Sequence, residues 1–231
     1  MTSIIKLLAK DGKLLEVAQD VIKQMVTIQS MLDCPLVDDN NDDDKPIPIF
    51  AVNGEVLDKL VKWTKCHLEN TNNAFDCKVW SDKFFMENLD EILVLEEGAK
   101  YLDLRSYLKT SEILMDEKFQ VLSNTESFMR NISRERFGEL LARDTLNVPN
   151  EEAVFKSLAF WISMDPEERS KFLDDLVPNI RAHFLPRYFV DKHLKAFLKK
   201  HGNPDLCHKL NYKSTTPRQE YEDFSLYYYF I

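Results

Sequence analysis

The chain has 231 residues and a mass of 27.1 kDa, 44% of it apolar, and carries 39 acidic against 30 basic side chains for a net charge of −9. That length accommodates one or two domains with a sizeable core. An acidic chain without a basic stripe argues against nucleic acid or an anionic membrane surface as partner, because both are held by Lys and Arg neutralising phosphate.

The excess charge is uneven. Residues 1–120 hold 14 Lys and Arg against 23 Asp and Glu, whereas residues 121–231 hold 16 of each, which points to two segments of different character. Cys34, Cys66, Cys77 and Cys207 are scattered and form no C-x-x-C pair, so reduced thiols are expected. Met1 to Lys6, followed soon by Asp11, lacks the apolar core of a signal peptide. No stretch reaches the roughly 20 apolar residues of a membrane span. The expectation is a soluble protein of the cytoplasm, the nucleus or both.

In chain order, Ile4–Leu8 and Lys13–Val17 flank Ala9-Lys10-Asp11-Gly12, and Asp-Gly between apolar runs predicts a β-hairpin. Val21, Met25, Ile28, Met31 and Leu32 then recur at helical spacing. Asp38-Asp39-Asn40-Asn41-Asp42-Asp43-Asp44 has the alternation of a calcium loop. It carries Asp43 where the turn glycine belongs and Ile49 at the closing position, so a solvated loop is expected. Lys45 to Phe50 alternates apolar residues with prolines, as a short edge strand does. Val56, Leu57, Leu60, Val61 and Trp63 predict a helix to about Leu68. A polar turn over Glu69–Asn73 leads to a short helix around Asp82–Met86, and two further helices follow over Leu89–Leu102 and Tyr107–Met115.

The second half reads as helical, with start signals. Ser123-Asn124-Thr125-Glu126 has capping-box form, Ser133 precedes Phe137, Leu140 and Leu141, and Asn150-Glu151-Glu152 precedes Val154, Leu158, Trp161 and Ile162. Asp165-Pro166-Glu167-Glu168 opens another helix that Pro178 should stop, and Tyr188–His201 forms a last amphipathic helix ended by Gly202. The remaining segment is irregular until Tyr227-Tyr228-Tyr229-Phe230-Ile231, an apolar run that should dock on the chain's own helices or add to a partner's sheet edge. Trp63, Trp80 and Trp161 fall within apolar periodicity and are read as core.

Catalytic patterns are missing. His67, His183, His193, His201 and His208 do not form a ligand set by spacing, no G-x-S-x-G occurs, and five glycines leave little room for a phosphate loop. Glu96-Glu97 and Glu151-Glu152 sit beside Lys or at helix starts, where solubility and the helix dipole account for them. The reading is a non-catalytic surface for recognising other proteins, with no metal and no cofactor.

Ile5-Lys6-Leu7-Leu8 with Asp11-Gly12, Val26-Thr27-Ile28-Gln29-Ser30-Met31-Leu32, the acidic loop, Ile47-Pro48-Ile49, Val61-Lys62-Trp63, Val79 to Phe84 and Ala99-Lys100-Tyr101-Leu102-Asp103 follow in order. Over about residues 3–119 this series resembles the S-phase kinase-associated protein family, adaptors of cullin-RING ubiquitin ligases with a BTB/POZ fold. After Phe119 the family's F-box-gripping extension is not found. Phe128, Phe137, Leu140-Leu141-Ala142-Arg143-Asp144, Leu146-Asn147-Val148, Glu151 to Phe155, Trp161, Arg169, Leu173, Leu176 and Ile180-Arg181 instead resemble the BACK domain over roughly 123–200, a helical module of kelch-type receptors for cullin-3.

The resemblance implies an α+β BTB/POZ domain, a small sheet wrapped by short helices, over 1–120. An all-α BACK domain would follow over 121–202, then a tail over 203–231. It implies an adaptor or substrate-recognition subunit in the ubiquitin conjugation pathway, as in SCF complexes. Its partners would be a cullin of the cullin-1 or cullin-3 type, an F-box or other substrate receptor, and a second copy through the BTB domain. The cullin surface would hold Ile28, Met31, Leu32, Lys100 and Tyr101, and a partner-binding tail would hold Tyr227, Tyr228, Tyr229 and Phe230. Lys100 stands where the family presents an Asn beside the Tyr. An unpaired cation in a desolvated contact would be costly there unless it met a carboxylate or reached water. The competing reading is an interaction module that has lost cullin binding.

Overall fold

Alternation of apolar residues on either side of the Asp-Gly turn produces the expected hairpin: β1 (Ile4–Ala9) pairs antiparallel with β2 (Leu14–Ala18), with Ile4 opposite Ala18 and Leu8 opposite Leu14. Gly12 takes φ +84°, the left-handed conformation that the turn demands. β3 (Ile47–Ile49) adds in parallel on the other side of β1, giving the order β2-β1-β3. Pro48 is tolerated because β3 is an edge strand. The computed structural model describes residues 3–33, 45–70, 73–201, 206, 210 and 217–218. The chain divides into two units, Met1–Leu114 and Met115–Ile231.

In the first unit α1 (Gln19–Ile22) and α2 (Val26–Asp33) follow the hairpin, and α3 (Gly54–Glu69) follows β3. The inward residues Leu7, Ala9, Leu15 and Val17 of the sheet join Leu57, Leu60 and Trp63 of α3 and Leu95, Ala99 and Leu102 in one buried cluster. The hairpin turn is fixed to this core by charge. Both carboxylate oxygens of Asp11 accept the Gly54 N–H at 3.1 Å, capping α3 from outside while its own Asn53 side chain makes no cap. Hydrogen bonds from the Lys13 and Gly54 N–H groups hold the Asp11 carboxyl below its ordinary range. The approach is close: a Cβ on Gly54 would lie 2.5 Å from the Lys13 Cβ.

α4 (Ala74–Glu87) is longer than the short helix expected around 82–86. The reason is a start signal that the sequence reading passed over: Asn73 caps it, its side chain accepting from the N–H groups of Phe75 and Asp76. α5 (Ile92–Tyr101) and α6 (Arg105–Glu117) follow, the division between the units falling within α6.

The second unit is helical: α7 (Phe119–Leu122), α8 (Glu126–Asn131), α9 (Arg134–Ala142), α10 (Glu151–Met164), α11 (Pro166–Arg169) and α12 (Leu173–Leu176). Three expected caps form, with Ser133, Asn150 and Asp165 accepting from the N–H groups of Arg136, Ala153 and Glu168. The capping box at 123–126 does not. Ser123 and Thr125 donate their hydroxyls back to the carbonyls of Gln120 and Val121, which spends them on the preceding turn and leaves α8 without a side-chain cap. Trp161 is the hub of the core, stacked on Phe137 at 5.4 Å, covered by the Arg169 guanidinium at 4.3 Å and donating to the Ile132 carbonyl. The last expected helix runs as α13 (Arg187–Phe189), a π turn over Val190–Leu194, and α14 (Lys195–Lys200). Gly202, expected to end it, lies outside the described residues. No helix among the described residues is long and apolar enough to cross a membrane.

Two stability outcomes follow from the hairpin joint. Gly54→Ala should destabilise the chain by about 1–3 kcal/mol in urea titrations, since the added methyl meets the Lys13 side chain in the anchored hairpin turn. Asp11, whose folded pKa is depressed, contributes stability that is complete above the unfolded value of about 4 and is lost as pH falls through the folded one. Asp11→Asn should therefore lower stability at neutral pH and flatten its decline below pH ~4.

Candidate functional site

The geometry that brings the predicted surface together is a meeting of two helix ends. α5 stops in a Schellman turn: Asp103 N donates to Lys100 O at 3.2 Å and Leu104 N to Ala99 O at 2.9 Å. Asp103 adopts φ +48° without being glycine and pairs with Arg105. The last carbonyls of α5 are then satisfied by the start of α2. Thr27 Oγ1 donates to Tyr101 O at 2.7 Å, and the Thr27 N–H to Leu102 O at 3.3 Å. Two helices thus resolve each other's unsatisfied ends, with opposite dipole poles in contact. This contact couples α2, which carries Met31 and Leu32, to the turn that carries Lys100 and Tyr101.

The five predicted residues divide. Met31 and Leu32 are 38% and 42% exposed, and Val26 at the start of α2 is exposed to a similar degree. Tyr101 is half-buried, and the Lys100 side chain is 55% exposed. Ile28 is different: it is fully buried in the core cluster, because the face of α2 one turn before Met31 points down onto the sheet and α5. It anchors the surface from beneath and does not line it. Tyr227, Tyr228, Tyr229 and Phe230 lie outside the described residues, as does the acidic loop 38–44.

Lys100 is not a lone cation. Its Nζ lies 2.7 Å from Glu96 Oε1, one turn earlier on α5, and that carboxylate side chain is only 3% exposed. Glu96, which the sequence places on a solvated face, is therefore a buried acid. The correction has a physical reason: α5 packs on α3 through the face that also holds Leu95 and Ala99, and Glu96 falls at its edge, where the long lysine stem keeps its head in water. Burial, and after it the charge of the same acid, raises the phenol pKa of Tyr107 far above its ordinary value, so that group stays protonated.

A further pairing escaped spacing analysis. Cys77 Sγ lies 3.2 Å from His67 Nδ1, bringing α4 against α3, while the imidazole stacks on Trp63 at 4.7 Å. Burial lowers the His67 pKa and raises that of the neighbouring Cys66 thiol. Cys66 and Cys77 are free thiols, and among the described residues no three His, Cys, Asp or Glu side chains are grouped to hold a metal.

The sequence profile of the family described as "Skp1 family, tetramerisation domain" matches residues 3–69, and that of the family described as "BACK: BTB And C-terminal Kelch" matches residues 92–195. The second match begins well before the expected 123. It takes in α5 and α6, although the α5 residues Leu95 and Ala99 pack in the core of the first unit. Among curated proteins, Kelch-like protein 40b of Danio rerio is 33% identical over 94 residues, covering 41% of this chain and 15% of that protein. Kelch-like protein 28 of Homo sapiens is 31% identical over 121 residues (44% and 21%), and that of Mus musculus 30% identical over 131 residues (48% and 22%). The alignments thus span about a fifth or less of the length of these relatives.

The helix-end contact is open to a direct check. Thr27→Ala removes one side-chain bond to a carbonyl at the end of α5 and should cost about 1 kcal/mol in chemical denaturation. Faster amide exchange should be confined to α2 and to the Lys100–Leu104 turn.

Proposed function

From a chain that joins a Skp1-family POZ segment to a BACK segment, we infer a non-catalytic subunit of a cullin-RING ubiquitin ligase, an adaptor or substrate-recognition component that works in the cytoplasm or nucleus. In this reading the POZ module extends to about residue 120, just past the end of α6. The BACK module occupies about 121–202, and residues 203–231 form a tail. The succession of the two family matches along one chain is the observation that carries the proposal.

The cullin-facing surface is Met31 and Leu32 of α2 with Lys100 and Tyr101 of α5, held as one piece by the Thr27 contacts. Its chemistry suits protein docking: exposed apolar side chains for burial, an aromatic ring, and a charge at the rim. The second partner, a substrate or a substrate receptor, belongs to the BACK helices or the tail. The BACK match and the Kelch-like relatives favour a cullin-3-type over a cullin-1-type partner.

Pulldown of purified cullin N-terminal regions by the immobilised chain tests this. At least one member of a panel should bind at micromolar concentration, and Met31→Glu should weaken it by more than about tenfold, since a charge is then buried unpaired. Absence of binding across the panel would sink the adaptor reading. Lys100→Asn identifies the role of the lysine: a gain of cullin-1 binding marks it as a barrier, and a loss of binding to another cullin marks it as a contact.

A further inference from the structure

Glu151, the first residue of α10, was expected to serve only the helix dipole. Its side chain is 3% exposed, and it is met by the Arg218 side chain, itself 4% exposed and 67 residues away in sequence. The pairing is a two-pronged fork, with Arg218 Nε on Oε2 at 3.0 Å and Nη2 on Oε1 at 3.1 Å. Nη1 donates to the Arg143 carbonyl at 2.6 Å and Nη2 also to the Asn179 carbonyl at 3.1 Å, so four of the five guanidinium donors are engaged.

Everything that receives this arginine comes from residues 143–181, between the end of α9 and the turn after α12. The carboxylate is held in place independently of its visitor. The Arg181 N–H donates to Glu151 Oε1 at 2.8 Å, and the start of α10 presents its positive pole. The Arg181 guanidinium is turned to Asp144. Among the described residues, the side-chain cation that compensates this fixed and dry carboxylate is Arg218. Leu206 and Leu210, earlier in the same stretch of chain, are also buried, at 1% and 4% exposed. Pro217 limits the backbone freedom that docking of Arg218 removes.

We propose that Glu151 with the Arg143 and Asn179 carbonyls is a guanidinium-recognition site on the helical unit, and that its occupant is the chain's own Arg218, which acts as an intramolecular ligand. The fork geometry selects arginine over lysine, whose single ammonium cannot meet both carboxylate oxygens and both carbonyls.

The test uses the full chain and a labelled peptide of residues 211–222, which carries Arg218. In Arg218→Ala, tryptic cleavage at Lys209 and Lys213 should accelerate by at least about tenfold, the change expected for loss of a buried charge pair, while cleavage within residues 115–200 stays unchanged. The peptide should bind that variant at least about tenfold more tightly than it binds the wild-type chain, whose site is filled. The same peptide with Ala in place of Arg should not bind. Arg218→Lys, which keeps the charge and is the milder perturbation of folding, should release the segment and accept the peptide in the same way, with its helical circular dichroism intact. Unchanged cleavage in both variants overturns the proposal, as does a peptide that binds equally well without its arginine or binds wild type and variant alike.

Discussion

A carboxylate taken out of water must be met by donors that are already in place, and each unit of this chain contains one such acid at a decisive point. In the first unit it is Glu96, buried on α5 against the half-exposed Lys100. In the second it is Glu151, buried at the start of α10 between the Arg181 N–H and the Arg218 fork. Removing the cation from either pair strands a charge in low dielectric, whereas replacing the whole pair by well-packed apolar groups would cost little. Such pairs therefore specify arrangement more than they add stability. Glu96 sets the lysine on the last turn of α5. Glu151 draws a distant segment onto α10.

Neither burial was legible in the sequence. Adjacent glutamates beside Lys or at a helix start look solvated; Glu97 is exposed as that reading has it, and Glu152 is half-buried. What decides between neighbours is a rotation of 100° about a helix axis relative to a core whose position no local pattern gives. Local signals did well where the competing partner was also local. The Asp-Gly hairpin, the proline-bearing edge strand, and the Ser133, Asn150 and Asp165 caps all form as read. Where a side chain had two local options the reading failed. The Ser123 and Thr125 hydroxyls chose the carbonyls behind them over the amides ahead, and Asn73, hidden in a polar run, proved to be a cap.

The candidate surface divides along the same line. Helical spacing puts Ile28, Met31 and Leu32 on one stripe, but burial changes along its length: Ile28 lies in the core, and Met31 and Leu32, one turn on, are exposed. The contact that makes α2 and α5 one surface is a bond between elements 74 residues apart, Thr27 to Tyr101 O, and involves a carbonyl that every residue possesses. No residue pattern encodes it. It arises because the end of α5 and the start of α2 each had unsatisfied backbone groups and were brought together by the packing of Ile28 and Leu102 in the same core.

The Glu96 pairing changes what Lys100 asks of a partner. A lone cation at a docking surface demands a carboxylate from the other side or a path to water, and without either its desolvation opposes binding. Lys100 already has its carboxylate, 2.7 Å away on its own helix, and keeps more than half of its side chain in contact with solvent. A partner that covers it must dehydrate an ion pair and not a bare charge. That is a smaller cost, and one that an apolar or aromatic contact to the lysine stem can offset. Because Glu96 is anchored in the core, the lysine head is held near the helix and the stem lies across the space that a short amide would leave open. If the proposed surface is the docking surface, discrimination among partners at this position falls to volume before charge: a surface shaped to receive a short side chain meets the stem as a steric obstacle, and one with a shallow apolar recess meets it as contact area.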